Sequence, residues 1–232
     1  MYKSAKRGSS VYESLRRAII EQALRPGVKL PEDSIGETFG VSRTIVRNAL
    51  VRLDAEGLVD IQLNRGASVA EPTIEEAYDI FDMRNCLERE VMQRLCSMDP
   101  KPIVKALEAH LKEESASLGK DSTRSIRLAG EFHILLAELT GSRILANYVN
   151  EIVSRCSLIL ARFAQVHSAE CGVEEHVEII AAIAEQNAEA AIEKMGAHLH
   201  SVQNRALLNP EDSREENIVE ILSRYRGIDK AN

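Results

Sequence analysis

The chain has 232 residues, enough for two domains that each bury a core, with 44% hydrophobic residues and a formal net charge of −7 at pH 7. No apolar run reaches the length of a membrane span and Met1–Ser10 lacks the apolar core of a signal peptide, so a cytoplasmic location is expected rather than a membrane-bound or exported one. The charge is uneven: residues 1–72 carry 11 Lys/Arg against 9 Asp/Glu, a net of +2, which leaves −9 for the remainder.

The arm at the start, with Lys3, Lys6 and Arg7, is expected to be unstructured when free. Residues 9–70 then predict, in order, a helix, a helix-turn-helix and a two-stranded wing. Ile35 and Phe39 sit four apart on a first helix, and Gly40 ends it where a left-handed backbone carries no Cβ penalty. Val41 anchors the turn, and Ser42 is placed to cap the next helix. Val46, Leu50 and Leu53 recur at helical spacing and predict its inward face. Arg43, Thr44 and Arg47 fall together on another face. Arginine there can fork onto guanine edges or phosphates, and Thr44 suits phosphate. After Gly57 the period changes to two: Val59, Ile61 and Leu63 alternate, Asn64-Arg65-Gly66 turns, and Ala67-Ser68-Val69 returns. Arg65 gives the wing a basic tip. A helical domain with merely solvated arginines is the bland alternative, but it leaves the Gly turn, the cap and the wing unexplained in one order. The expectation is DNA binding by Ser42, Arg43, Thr44, Arg47, Arg65 and Gly66.

Pro72 stops the wing, and Thr73 with Glu76 forms a capping-box pattern. Helices are predicted from there to about Ser97, from Asp99-Pro100 to about Gly119, onward to Gly141, then over about 143–166, 173–186 and 188–208. Pro210 breaks the chain, and Ser213 with Glu216 suggests a short last helix. The fold class is therefore mostly α. Residues 1–72 form a winged helix-turn-helix domain, and residues 73–232 form an antiparallel all-helical bundle for effector binding and dimerisation. Cys86, Cys96, Cys156 and Cys171 lack metal or redox spacing and read as reduced thiols, with Cys86 and Cys96 as small core residues.

Polar residues interrupt the apolar stripes of the bundle. Ile80, Arg84, Leu87 and Val91 share one line, so Arg84 is expected inward or semi-inward, where a buried guanidinium needs an anionic partner or several acceptors. His133 follows Phe132 and shares a face with Leu136. His176 is in register with Ile179, Ile180 and Ile183, and His198 follows Ala191 and Met195. Spacing alone leaves two readings open: satisfied core histidines, or ligands of a metal. His110, His167 and His200 do not share the inward placement.

Residues 9–70 resemble the winged helix-turn-helix of the GntR superfamily, through PGVKL, FGVSRTIVRNAL, LDAEGLV and NRGASV. Residues 73–208 resemble the all-helical FCD effector domain of its FadR branch. Two departures stand out: Asn48 replaces the usual Glu, and Asp33 lies near where some members present a DNA-contacting Arg. The resemblance implies a metal held by three histidines in FH, EH and M-x-x-H-L contexts. Phe132-His133, Glu175-His176 and Met195-Gly196-Ala197-His198-Leu199 match them. The usual fourth ligand, an Asp one turn before the first His, is Ala129 here, and Glu131 points to another side.

These features together predict a homodimeric transcriptional regulator, a repressor released by a small organic acid. The acid is bound by Arg84, His133, His176 and His198, with a divalent ion, Zn²⁺ by commonness, on the three histidines. The DNA partner is a palindromic double-stranded operator. No enzymatic role is expected. A metal-dependent hydrolase would need a positioned general base, and no HExxH, nucleophile elbow or phosphate loop is present. An architectural DNA-binding protein would have no use for interior Arg and His.

Overall fold

The structure, a computed structural model, describes residues 2–120, 122–163, 172–207 and 218–225. The expectations at His167, Cys171, Pro210, Ser213 and Glu216 lie outside them. The chain divides into two compact units, one of residues 1–72 with the last helix and one of residues 73–210.

In the first unit, α1 (Tyr2–Ile20) buries Val11, Leu15, Ala18 and Ile19 against α3 (Arg43–Ala55), whose Val46, Leu50 and Leu53 are buried in turn. The backbone of Lys3, Lys6 and Arg7 belongs to α1, where an unstructured arm was expected. Tyr12 ties α1 to the end of α3: its hydroxyl donates to Glu56 Oε1 at 2.5 Å, and the Arg52 guanidinium lies 3.6 Å over its ring. Between them, α2 (Glu32–Phe39) ends at Gly40 in the left-handed region, φ 64° and ψ 42°. Gly36 is required by packing rather than by φ, because a Cβ there would come within 3.0 Å of the Val41 carbonyl oxygen. That contact is where the turn folds back, with Val41 N–H donating to Gly36 O at 2.9 Å.

Strands β1 (Val59–Gln62) and β2 (Gly66–Val69) pair antiparallel, Val59 opposite Val69. The PGVKL segment lines the other edge of β2. Leu30 N–H donates to Ala67 O, and Val69 N–H donates to Val28 O, both at 2.9 Å. The expected inward alternation of Val59, Ile61 and Leu63 holds only at its base. Val59 is buried, but Ile61 is 42% and Leu63 90% exposed. The hairpin extends past the core, so its inner face has nothing to pack on beyond Val59.

The second unit contains α4 (Ile74–Cys96), α5 (Pro100–Ser117), α6 (Ser122–Leu139), α7 (Arg143–Phe163), α8 (Gly172–Ala184) and α9 (Ala188–Leu207). Thr73 accepts from Glu76 N–H and Glu76 accepts from Thr73 N–H, which completes the predicted capping box. α4 packs on α7 and α9, α5 on α6 and α8, and α8 on α9. Phe132, Leu136, Val149, Ile179, Ile183 and Met195 are among the buried centre. Cys96 and Cys156 are buried, whereas Cys86 is exposed: it falls on the outer side of α4, two residues past the inward Arg84.

Residues 73–232 do not form one unit as expected. α10 (Ile218–Tyr225) clusters instead with residues 1–72, against α1 and α2, with Leu222 buried. Its short apolar stripe requires a partner core, and the sequence pattern does not say which of the two cores receives it.

Candidate functional site

Two groups of polar side chains stand apart from structural roles. The first is on α3. Arg43, Thr44 and Arg47 are all exposed on one face, beyond the side that buries Val46 and Leu50. Ser42 occupies the N-cap position with extended backbone, but its side chain makes no cap bond. Its carbonyl instead accepts from Ile45 and Val46 N–H. Arg65 is exposed in the wing turn, where Asn64 and Gly66 have positive φ. The arginines are not free. Arg47 donates through Nε and Nη2 to the two oxygens of Glu32 at 2.9 and 3.0 Å, and Arg43 makes the equivalent two-pronged contact with Asp33.

The second group is buried in the helical unit. His133 on α6, His176 on α8 and His198 on α9 are each at most 4% exposed, and their candidate ligand atoms lie within 4.8 Å of one another. Phe132 stacks on His176, ring centroids 3.8 Å apart, and holds that ring's orientation. Each imidazole bonds a carboxylate through Nδ1: His133 to Glu88 at 2.5 Å, His176 to Glu114 at 3.0 Å, and His198 to Glu175 at 2.6 Å. Carboxylates that fix the tautomer and orientation of ligating histidines are the usual outer layer of a metal site.

The charge states follow from burial and pairing. Burial pushes the His133 imidazole down to about 3 against the pull of Glu88, and burial likewise lowers His198 against Glu175. Burial alone would raise Glu88, but Arg84 and then His133 outweigh it and hold the carboxyl at about 2. Glu175 is held at about 2 because its bonds to His198 and Arg205 outweigh its partial burial. At neutral pH, Glu88 and Glu175 are therefore ionised and His133 and His198 neutral. An ionised carboxylate only accepts, so both Nδ1 atoms donate and both Nε2 atoms carry lone pairs. Those two Nε2 atoms face each other at 3.2 Å, and His176 Nε2 is buried without a hydrogen-bond partner. Facing lone pairs at that distance repel unless a cation lies between them. Nitrogens on a tetrahedral Zn²⁺ with bonds of about 2.0–2.1 Å are about 3.3–3.4 Å apart, so the His133–His198 pair fits such an ion. All three sets of ligand atoms lie within 4.8 Å of one another.

Arg84 joins the cluster through Glu88, an anionic partner the sequence reading did not name, which accepts from Arg84 Nε at 2.8 Å. Arg84 Nη1 reaches Cys156 Sγ at 3.4 Å, and its Nη2 is buried without a partner. One unpartnered nitrogen, Nη2, remains where a whole guanidinium was expected.

All four predicted effector residues are therefore buried, with the three histidines in one cluster. His200 is exposed, and His110 is committed to the Leu128 carbonyl at 2.9 Å. Glu131 pairs with Arg127, away from the cluster, and Ala129 stands one turn before His133 as a half-buried residue. Sequence reasoning missed the three carboxylates. Signals existed: Glu88 is four residues after Arg84 on the same inward line, Glu114 is seven after Leu107 on α5, and Glu175 directly precedes His176.

Residues 7–69 match the family model described as bacterial regulatory proteins, gntR family, and residues 79–201 match the FCD domain. The HTH-type transcriptional regulator YdhC of Bacillus subtilis (strain 168) is 28% identical over 194 residues, which are 82% of this chain and 86% of YdhC. The HTH-type transcriptional repressor RspR of Escherichia coli (strain K12) is 24% identical over 83% of this chain and 85% of its own length. Among solved structures, a transcriptional regulator of GntR type from Rhodococcus sp. RHA1 superposes with a TM-score of 0.75 at 27% identity, covering 87% of this chain and 97% of that one.

Proposed function

The chain belongs to the gntR family of bacterial regulatory proteins, carries an FCD domain, and is a DNA-binding transcriptional regulator; we propose that it responds to a small carboxylate through a divalent ion on His133, His176 and His198. The observation that carries this reading is the pair of facing Nε2 lone pairs, with each ring locked through Nδ1 onto a glutamate. Zn²⁺ suits three neutral imidazoles, and when bound it supplies Lewis-acid affinity for a carboxylate oxygen.

The charge inventory makes the ion a condition of effector binding. Counted at formal charges, Glu88, Glu114 and Glu175 against Arg84 and Arg205 give the cluster −1 without an ion. A divalent cation changes this to +1, which matches one carboxylate. Arg84 then contributes its unpartnered Nη2 group, since Nε is held by Glu88 and Nη1 by Cys156.

On the DNA side, Arg43, Thr44 and Arg47 address base edges and phosphates, Ser42 and the start of α3 bond phosphate, and Arg65 with the Gly66 turn brings the wing to the backbone. The chain acts as a cytoplasmic homodimer on a palindromic operator, each reading head on one half-site. The effector acts by binding one of two dimer states better than the other. Repression relieved by the acid is the favoured sign, since RspR is a repressor. No catalytic role is assigned, as the relatives are regulators.

The test is a thermal-shift screen of small carboxylic acids on the full chain, with zinc and with chelator, followed by DNA binding at each condition. Stabilisation by an acid that requires the ion and alters DNA affinity supports the reading. Acid binding that is indifferent to chelator contradicts it.

A further inference from the structure

The two ion pairs on the reading head remain without a role in the fold. Arg43 and Arg47 project from α3, while Asp33 and Glu32 begin α2. Three of the four side chains are largely solvated, with Arg43 69%, Asp33 57% and Arg47 68% exposed, while Glu32 is half-buried at 27%. Exposed pairs of this kind add little stability, and α2 and α3 are already joined by Ile35, Val46 and Leu50 in the core. What the pairs do occupy is the Nε–Nη2 edge of each guanidinium, both prongs on both carboxylate oxygens. That edge is one of the two forks a guanidinium can present to guanine O6 and N7 or to a phosphate, and its Nη2 is shared with the other fork, Nη1–Nη2. The two acids also cancel the charge of the two arginines, so these four residues present no net positive charge.

From this geometry we infer that Glu32 and Asp33 are specificity-determining residues, competing with DNA for the forks of Arg47 and Arg43 and so penalising duplexes that offer phosphate alone. The inference rests on the proposed DNA role of the two arginines. Non-specific binding draws almost entirely on phosphate neutralisation. Here it must either leave both arginines on their carboxylates or break two ion pairs and hold two bare carboxylates near the duplex. A correct site offers a bidentate guanine contact in exchange, which outweighs an exposed ion pair. Glu32 and Asp33 thereby lower affinity everywhere but lower it most where no base contact forms.

The test uses the full-length protein and two duplexes of equal length and base composition: one recovered by the wild-type chain from a random library, and one unrelated. Affinities are compared for Asp33→Asn, Glu32→Gln, Arg43→Ala and Arg47→Ala. Glu37→Gln serves as a control that removes an exposed charge from the same helix. Each of the two paired-acid variants is expected to tighten the unrelated duplex about 3–10-fold and the recovered one less than about 3-fold, with a salt dependence steeper by up to about one unit of slope. Glu37→Gln is expected to change both by less than about 2-fold. In an Arg43→Ala background the effect of Asp33→Asn is expected to shrink at least about 2-fold, since only the repulsive part of the acid's effect then remains.

An unchanged ratio of the two affinities in Asp33→Asn and Glu32→Gln, with binding still weakened by Arg43→Ala and Arg47→Ala, overturns this inference alone. An equal response to Glu37→Gln also overturns it, because the effect is then general charge. Arginine variants that bind the recovered duplex normally remove the DNA reading of α3, and the inference falls with it. Should either amide variant weaken α2, circular dichroism reports it. The salt slope of the Asp33→Glu variant, which keeps the charge and helix but changes the reach, then decides: a wild-type slope and ratio supports the competition, and an amide-like slope rejects it.

Discussion

His133 and His198 present their Nε2 atoms to each other at 3.2 Å, while their Nδ1 atoms bind Glu88 and Glu175. The glutamates thus aim the rings without touching the space between them. If that space holds an ion, replacing an aiming carboxylate weakens affinity without removing a ligand. Glu175→Gln and Glu114→Gln are each expected to lower zinc affinity about 10–100-fold. Competition with a chromophoric chelator measures this. Unaltered affinity in both variants, with helicity retained, contradicts the aiming role.

Arg84 and Glu88 are both nearly fully buried, so removing one charge is expected to be far worse than removing both. Glu88→Ala leaves a buried guanidinium without its carboxylate and is expected to cost about 3–5 kcal/mol. The double change Arg84→Met with Glu88→Leu is expected to cost only about 1–3 kcal/mol, the loss of an acceptor for the buried His133 Nδ1–H, while abolishing the response to carboxylates. Urea titrations of the three proteins measure the difference. A double variant as unstable as Glu88→Ala means that packing around the pair, rather than charge, governs the loss.

The fold was legible where local chemistry repeats. The Gly40 turn, the Thr73 capping box and the inward stripes of α3 and α4 follow from spacing alone, because each involves residues within one or two turns. The three histidines were legible because each interrupts an apolar stripe. Their glutamates were not, since Glu88 pairs with His133 across 45 positions and Glu114 with His176 across 62, and charged residues on helices usually face water. The pairing of Arg43 with Asp33 is legible only as a departure from the family pattern, and its consequence needs the tertiary placement of α2 beside α3. The assignment of α10 failed for the same reason: its partner lies across the whole chain.

The buried imidazoles make the metal-free protein acid-labile. His133 is lowered to about 3 from an ordinary value near 6.5, so between those values the unfolded chain carries a proton that the folded one does not. Unfolding then takes up protons, and stability falls as pH drops, by about 1.4 kcal/mol per pH unit for each such ring. His198, also lowered, acts in the same direction. Glu88, held at about 2, contributes stability that is complete above about 4.3 and is lost as pH falls towards its folded value. Urea midpoints of chelator-treated protein at several pH values from neutrality to about 4.5 are expected to decline steadily, and His133→Gln to flatten the decline. A pH-independent midpoint over that range contradicts the neutral, buried state of the rings.

Ala129 stands one helical turn before His133 on α6, where a carboxylate would face the cluster with it. Two substitutions separate the ligand set from the DNA-reading unit. Ala129→Asp adds a negative oxygen ligand and is expected to tighten zinc binding about 10-fold or more. It also cancels part of the ion's excess positive charge, so affinity for a carboxylate effector is expected to fall even as metal affinity rises. His176→Ala removes a candidate ligand, whose Nε2 is buried and unpaired. It is expected to weaken zinc binding at least as much, to abolish the effector response, and to leave effector-free DNA binding within about 2-fold, since Arg43 and Arg47 lie in the other unit. Metal content of protein purified without chelator or affinity-column metal, chelator competition, and DNA affinity with and without effector provide the measurements. Zinc affinity unchanged in both variants removes the ion from these residues. A large loss of effector-free DNA binding in folded His176→Ala protein instead shows that the ion stabilises the DNA-binding state, and reverses the proposed order of events.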